Sequence, residues 1–112
     1  MGYPFWPQSV NYTLRRAASR TSIPLVMTEN GIGTDDDNQR IRYLDEALAH
    51  LDQVRRDGLD VRGYFQWSLL DNFEWTLGYG PKFGLVAVDR TSFARTPKAS
   101  AAWFANAVAA RR

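Results

Sequence analysis

Apolar positions recur at two different periods along this chain, and the switches between them predict its elements. In residues 9–20, Val10, Leu14, Ala17 and Ala18 fall at helical spacing and predict a short amphipathic helix. Residues 23–28 read Ile-Pro-Leu-Val-Met-Thr, apolar on both faces, as in a strand of a parallel sheet covered on both sides. Pro24 sits near the start of that strand, where a missing amide donor is tolerated. Glu29-Asn30-Gly31-Ile32-Gly33 then breaks the pattern abruptly. Asp35, Asp36 and Asp37 follow, opposing the positive end of the next helix dipole. Ile41, Leu44, Leu48, Leu51 and Val54 space that helix, which ends at Gly58. Residues 61–69 predict a second strand buried on both faces. A long aromatic loop follows, then a short strand over residues 85–88. The last helix is expected to start at Thr96-Pro97, a cap residue and a first-turn proline. Its core-facing stripe would be Ala99, Trp103, Phe104, Ala107 and Val108. Residues 1–7, with two prolines and three aromatics, suit an ordered loop.

The order helix, strand, helix, strand, loop, helix is parallel α/β architecture. Two main strands are too few to close a barrel or complete a doubly wound sheet, and alone they would expose edges and apolar faces. The short strand near residue 86 reads as part of a loop. The expectation is an incomplete barrel: a piece of a larger (β/α)8 TIM barrel.

Composition narrows the chemistry. Of 112 residues, 45% are hydrophobic and 23% charged, so disorder does not describe the chain. A pI near 9.2 invites a nucleic-acid reading. The arginines, however, alternate with Asp45, Glu46, Asp52, Asp57 and Asp60, so no basic stripe forms and no nucleic-acid partner is expected. Without cysteine there is neither a disulfide nor a thiolate metal site, and the single His50, off the most apolar helix line, cannot build a multi-histidine one. The three aspartates lack the ordered array and turn glycine of a calcium loop, so they read as solvated helix-start charge. No metal and no cofactor is expected. No apolar run approaches the roughly 20 residues that span a bilayer, and the start lacks a signal-peptide pattern. Cytoplasm is the default location.

Two features carry chemistry. Glu29 follows a buried strand at its carboxyl end, where barrel enzymes place catalytic groups. From position alone, catalysis and the capping of a loop turn weigh equally. The second feature is Tyr64-Phe65-Gln66-Trp67-Ser68-Leu69-Leu70-Asp71-Asn72-Phe73-Glu74-Trp75. Seven of the chain's aromatics (4 Trp, 5 Tyr, 6 Phe in all) lie between Tyr64 and Phe83. Flat rings pack on the C–H faces of a pyranose, while carboxylates and indole N–H groups bond its hydroxyls. Ordinary core packing is the alternative, for Tyr64 and Phe65 above all. Asp71 and Asn72 fit a role bracing the loop.

These segments resemble glycoside hydrolase family 1, the β-glucosidase family, over essentially the whole chain. Thr28-Glu29-Asn30-Gly31 is similar to the family's nucleophile motif at the end of the seventh strand. The stretch from Gly63 to Trp75 resembles its eighth-strand sugar-binding segment, and Thr96-Pro97-Lys98-Ala99-Ser100 with Trp103-Phe104 its final helix. The resemblance implies the last two βα units of the barrel, with residues 1–112 as the carboxyl-terminal part of that domain. Glu29 would be the nucleophile and Trp67 a wall of the glycone pocket. Glu74 would accept from the sugar 4- and 6-hydroxyls, the Trp75 indole N–H would reach the 3-hydroxyl, and Phe83 would line the pocket near the 6-position. Relatives that cleave phosphorylated sugars differ around Glu74, so an unphosphorylated β-glucoside is implied. The family's acid/base glutamate, in an Asn-Glu-Pro motif on the fourth strand, is not in this chain, nor are the glycone-binding Gln, His and Asn of earlier strands. The missing amino-terminal part of the barrel is therefore an expected partner, and the chain alone is expected to have little or no activity. Met1-Gly2-Tyr3 resembles a mid-chain motif of the family, which implies a protein that begins earlier. Two rival readings are a non-catalytic carbohydrate-binding or dimerising half-barrel, and an unrelated barrel enzyme.

Overall fold

A computed structural model describes residues 3–111; Met1 and Gly2, at the head of the expected amino-terminal loop, lie outside the described residues. Three helices, α1 (Ser9–Ala18), α2 (Asp37–Arg56) and α3 (Ala99–Ala109), accompany four strands, β1 (Leu25–Asn30), β2 (Val61–Gln66), β3 (Val86–Val88) and β4 (Arg95–Pro97). β1 and β2 pair in parallel across α2, in register Leu25↔Val61, Met27↔Tyr64 and Asn30↔Gln66. β3 and β4 form a separate antiparallel hairpin.

The helices cover one face of the β1–β2 ribbon. Val10 and Leu14 of α1 and Tyr43, Leu44, Ala47, Leu48, Leu51 and Val54 of α2 form the core with Val61 and Leu85. Leu25, Met27, Tyr64, Trp103 and Phe104 pack against it. α2 starts cleanly because Asp36, extended at φ −87° and ψ 104°, accepts from the Asn38 amide at 3.0 Å. It stops because Gly58 takes φ 94°, a conformation that favours glycine.

Several expectations change. β1 begins at Leu25, whose amide bonds the Asp60 carbonyl; Pro24 has no amide to donate, and Ile23 is 67% exposed. β1 also runs on through Glu29 and Asn30, which therefore belong to the strand. β2 ends at Gln66 because residues 68–71 bond instead with residues 83–86. The strands are covered on one face only: Val26 and Phe65 point to the other and are 48% and 63% exposed, since no helix among the described residues packs there. Arg95–Pro97 is a strand, and the last helix starts at Ala99. Thr96 pairs with Ala87 in the hairpin and cannot cap it. The cap comes from α2, where the Asp37 carboxylate accepts from the Ser100 amide at 2.8 Å and its hydroxyl at 2.7 Å. Asp37 is thus bound structure, in contrast to the solvated charge its sequence position suggested. Ala99 and Val108 face outward, leaving Trp103, Phe104 and Ala107 as the stripe. Among the described residues no helix is long and apolar enough to cross a membrane.

Candidate functional site

Because β1 and β2 run parallel, their carboxyl ends lie side by side, and Glu29 and Trp67 share that end. The Trp67 amide bonds the Asn30 carbonyl at 2.9 Å, locking the two strand tips together. A Cβ on Gly31 would collide with the Trp67 carbonyl, so glycine is what allows this approach. Glu29 is exposed, and no ion pair among the described residues includes it.

Its neighbour Asn30 points toward the helices. Tyr64 donates its hydroxyl to Asn30 Oδ1 at 2.8 Å, and Asn30 Nδ2 donates to the Tyr43 hydroxyl at 3.2 Å. Burial, with the neighbouring Tyr43 adding to it, pushes the Tyr64 pKa well above its ordinary value, so the phenol keeps its proton and remains a donor. The strand tip is thereby pinned on one side while the Glu29 carboxylate stays in the open.

The aromatic loop is built on a second framework. Asp71, 6% exposed, accepts from the Gly84 amide and from Lys98 Nζ, both at 2.9 Å, and Lys98 also donates to the Gly84 carbonyl at 2.7 Å. A Cβ on Gly84 would strike the Asp71 amide, so this crossing also requires glycine. Buried Ser68 donates to the Leu70 carbonyl at 2.6 Å and lies 3.1 Å from Asn72 Oδ1. Asn72 Nδ2 in turn donates to Glu74 Oε2 at 2.8 Å. A tight turn then presents the next residues, with the Glu74 amide bonded to the Gly78 carbonyl at 2.7 Å. Gly78 holds φ 58° and ψ −136°, which glycine alone tolerates easily, and Trp75 itself sits at φ 46°. The Trp75 ring is 83% exposed and that of Trp67 38%. Phe83 is 7% exposed and lines a cleft of about 310 Å³ with Phe5, Trp6 and the Gly31–Gly33 backbone. Its carbonyl accepts from the Ser68 amide, which holds it close to the end of β2.

Open carboxylates, two exposed indoles and a cleft at one end of a parallel ribbon suit a hydroxyl-rich ligand. The glycosyl hydrolase family 1 model matches residues 1–112. The chain belongs to glycosyl hydrolase family 1. It is 43% identical over 111 residues to beta-glucosidase 4 of Oryza sativa subsp. japonica, an alignment covering 88% of this chain and 23% of that protein. The apo structure of a beta-glucosidase designated 1317 superposes with TM-score 0.95 at 51% identity, over 96% of this chain and 27% of its own. A beta-glucosidase from Thermotoga maritima in complex with glucoimidazole superposes with TM-score 0.92 at 35% identity, over 97% and 27%. The chain thus spans about a quarter of the length of the relatives it matches. Family 1 β-glucosidases have the TIM-barrel fold, of which these residues are a partial α/β piece.

Within this family 1 segment Glu29 and Trp67 lie at the same end of the parallel pair, and Glu74 and Trp75 sit on a turn tied back to that end through Ser68 and Asn72. Sequence reasoning missed Asn30, Tyr43 and the pair Arg40–Asp37. Arg40 is 1% exposed and donates to Asp37 at 2.5 Å and to the Thr34 and Lys82 carbonyls, each at 2.6 Å. It therefore fastens the loop after Glu29 to the segment before Phe83. The signal was present: Arg40, Leu44 and Leu48 recur every four residues, so an arginine occupies the core register of α2.

Proposed function

We propose that this chain is the carboxyl-terminal part of a retaining β-glucosidase, with β1–α2 and β2–α3 as the last two βα units of its barrel. Glu29 acts as the nucleophile, attacking the anomeric carbon of a terminal β-D-glucosyl residue to form a covalent glycosyl-enzyme. Trp67 stacks on the sugar, Glu74 accepts from its 4- and 6-hydroxyls, Trp75 donates its indole N–H to the 3-hydroxyl, and Phe83 shapes the pocket near the 6-position. The acid/base carboxyl, which protonates the leaving group and then activates water, comes from the part of the barrel that this chain does not contain. Retention needs the two carboxyl groups about 5 Å apart, so the complete barrel is the catalytic unit. The reaction draws on no metal or cofactor.

The observation that carries this reading is the shared strand end of Glu29 and Trp67, where the Trp67 amide bonds the Asn30 carbonyl and both side chains are exposed. Val26 and Phe65, bare on the face opposite the helices, support it further, because that face becomes the barrel interior once the other strands are present. The test joins this segment to the preceding strands of the barrel and assays a chromogenic β-glucoside. Turnover by the complete enzyme, falling about four orders of magnitude on Glu29→Gln, is expected. Sugar binding without turnover, indifferent to Glu29→Gln, would instead make the chain a carbohydrate-binding module.

A further inference from the structure

A carboxylate that must meet two sugar hydroxyls has to present its oxygens in a fixed plane, yet glutamate has three rotatable bonds with which to lose that plane. No ion pair among the described residues restrains Glu74. What restrains it is an amide. Asn72 Nδ2 donates to Glu74 Oε2 at 2.8 Å and lies 3.3 Å from the Phe73 carbonyl, while Asn72 Oδ1 lies 3.1 Å from the hydroxyl of buried Ser68. The Asn72 amide thus lies between the Glu74 carboxylate and the hydroxyl of Ser68, whose own proton goes to the Leu70 carbonyl. Ser68 follows Trp67 directly, so the relay ties the carboxylate to the same strand end that carries the indole. A neutral donor also leaves the Glu74 charge uncompensated and its second oxygen open, as hydroxyl recognition requires.

We infer that Asn72 is a positioning residue that sets sugar specificity through Glu74. It orients the carboxylate for the 4- and 6-hydroxyls of the terminal sugar without touching the sugar itself. This rests on the role given to Glu74 above. An aspartate of the same size could not replace it, since at neutral pH it has no proton to donate and would face Glu74 as a second negative charge.

The test uses the complete enzyme and three aryl β-glycosides: the glucoside and its 4-deoxy and 6-deoxy counterparts. Asn72→Ala is expected to lower kcat/KM for the glucoside about tenfold, equivalent to about 1.4 kcal/mol. For the deoxy substrates it should lower kcat/KM less than about half as much on the same logarithmic scale, because part of what Glu74 recognises is already gone. Asn72→Asp, which keeps the side-chain volume, should reproduce that pattern, which covers the case of an alanine variant that does not fold. In a Glu74→Ala background, Asn72→Ala should add nothing. An equal loss on all three substrates, or losses that add in the double variant, would overturn the inference while leaving Glu74 as a sugar ligand. If Glu74→Ala itself left the preference for the glucoside over the deoxy substrates intact, the reading of Glu74 would fall, and the role of Asn72 with it.

Discussion

Replacing Asp37 by alanine should be among the most destabilising changes in this segment, although the residue lies remote from the reacting atoms. Its carboxylate is the counter-ion of Arg40, whose side chain is 1% exposed, and it accepts both the amide and the hydroxyl of Ser100 at the start of α3. Arg40 is buried, but the Asp37 side chain is a quarter exposed and Arg40 keeps two carbonyl acceptors, so stranding its charge costs about 2–3 kcal/mol, below the value for a fully buried pair. The Ser100 groups left unsatisfied add about 1 kcal/mol. A total of about 3–4 kcal/mol is a large share of the 5–15 kcal/mol that typically separates folded from unfolded domains. Urea unfolding of the complete enzyme at pH 7 reads this as a lower midpoint at constant slope. Adding Arg40→Met to Asp37→Ala removes the stranded charge and should recover about 1–3 kcal/mol. The pH dependence has a definite sign. Burial raises the Asp37 pKa, but the bonds from Ser100 and the nearby Arg40 outweigh it and hold the carboxyl below its ordinary value. The stability it contributes is therefore present above the ordinary carboxylate pKa and lost as pH falls through the lowered folded-state value. Asp37→Asn should flatten that acid limb. A loss under about 1 kcal/mol on Asp37→Ala, or strictly additive effects with Arg40→Met, would refute the reasoning.

Three further outcomes follow from the same geometry. Gly31→Ala forces a Cβ into the Trp67 carbonyl, so the β1 and β2 tips must part. Turnover of a β-glucoside should fall at least about tenfold with a stability loss of about 1–3 kcal/mol, measured by kinetics and melting together. Tyr64→Phe leaves Asn30 Oδ1 without its donor and should cost about 1–3 kcal/mol in urea unfolding. Trp75→Ala, by contrast, truncates a ring that is 83% exposed, so the melting temperature should stay put while glucoside affinity drops about tenfold. Unchanged affinity there would refute the sugar contact assigned to Trp75.

The strands and α2 were legible because their apolar runs are continuous and Gly58 ends the helix in a left-handed conformation. Their limits were less so. Periodicity treats Ile23 and Pro24 as strand, whereas the ladder begins only where an amide can donate, at Leu25. Apolarity on both faces of β1 and β2 suggested cover on both sides, whereas among the described residues the helices cover only one. Thr96-Pro97 carries the residue types of a helix start, but the Asp89 turn, whose carboxylate accepts from the Thr91 and Ser92 amides, folds Arg95–Pro97 back onto β3. At the site, the polar Glu29-Asn30 after an apolar run drew attention to Glu29, although the strand runs on through Asn30, and the crowding of rings singled out Trp67 and Trp75 as candidates. The contacts of Asn30 with Tyr43 and Tyr64 left no local trace, since tertiary packing brings together residues 13 and 34 positions apart.

Trapping the glycosyl-enzyme tests the nucleophile most directly. The complete enzyme would be treated with an activated β-glucoside bearing fluorine in place of the 2-hydroxyl, which slows release of the covalent intermediate, then digested and mapped by mass spectrometry. One sugar should be found esterified to the peptide containing Glu29, and none should appear on the Glu29→Gln variant. A label on any other carboxylate, or stoichiometric inactivation with residue 29 unmodified, would contradict the assignment.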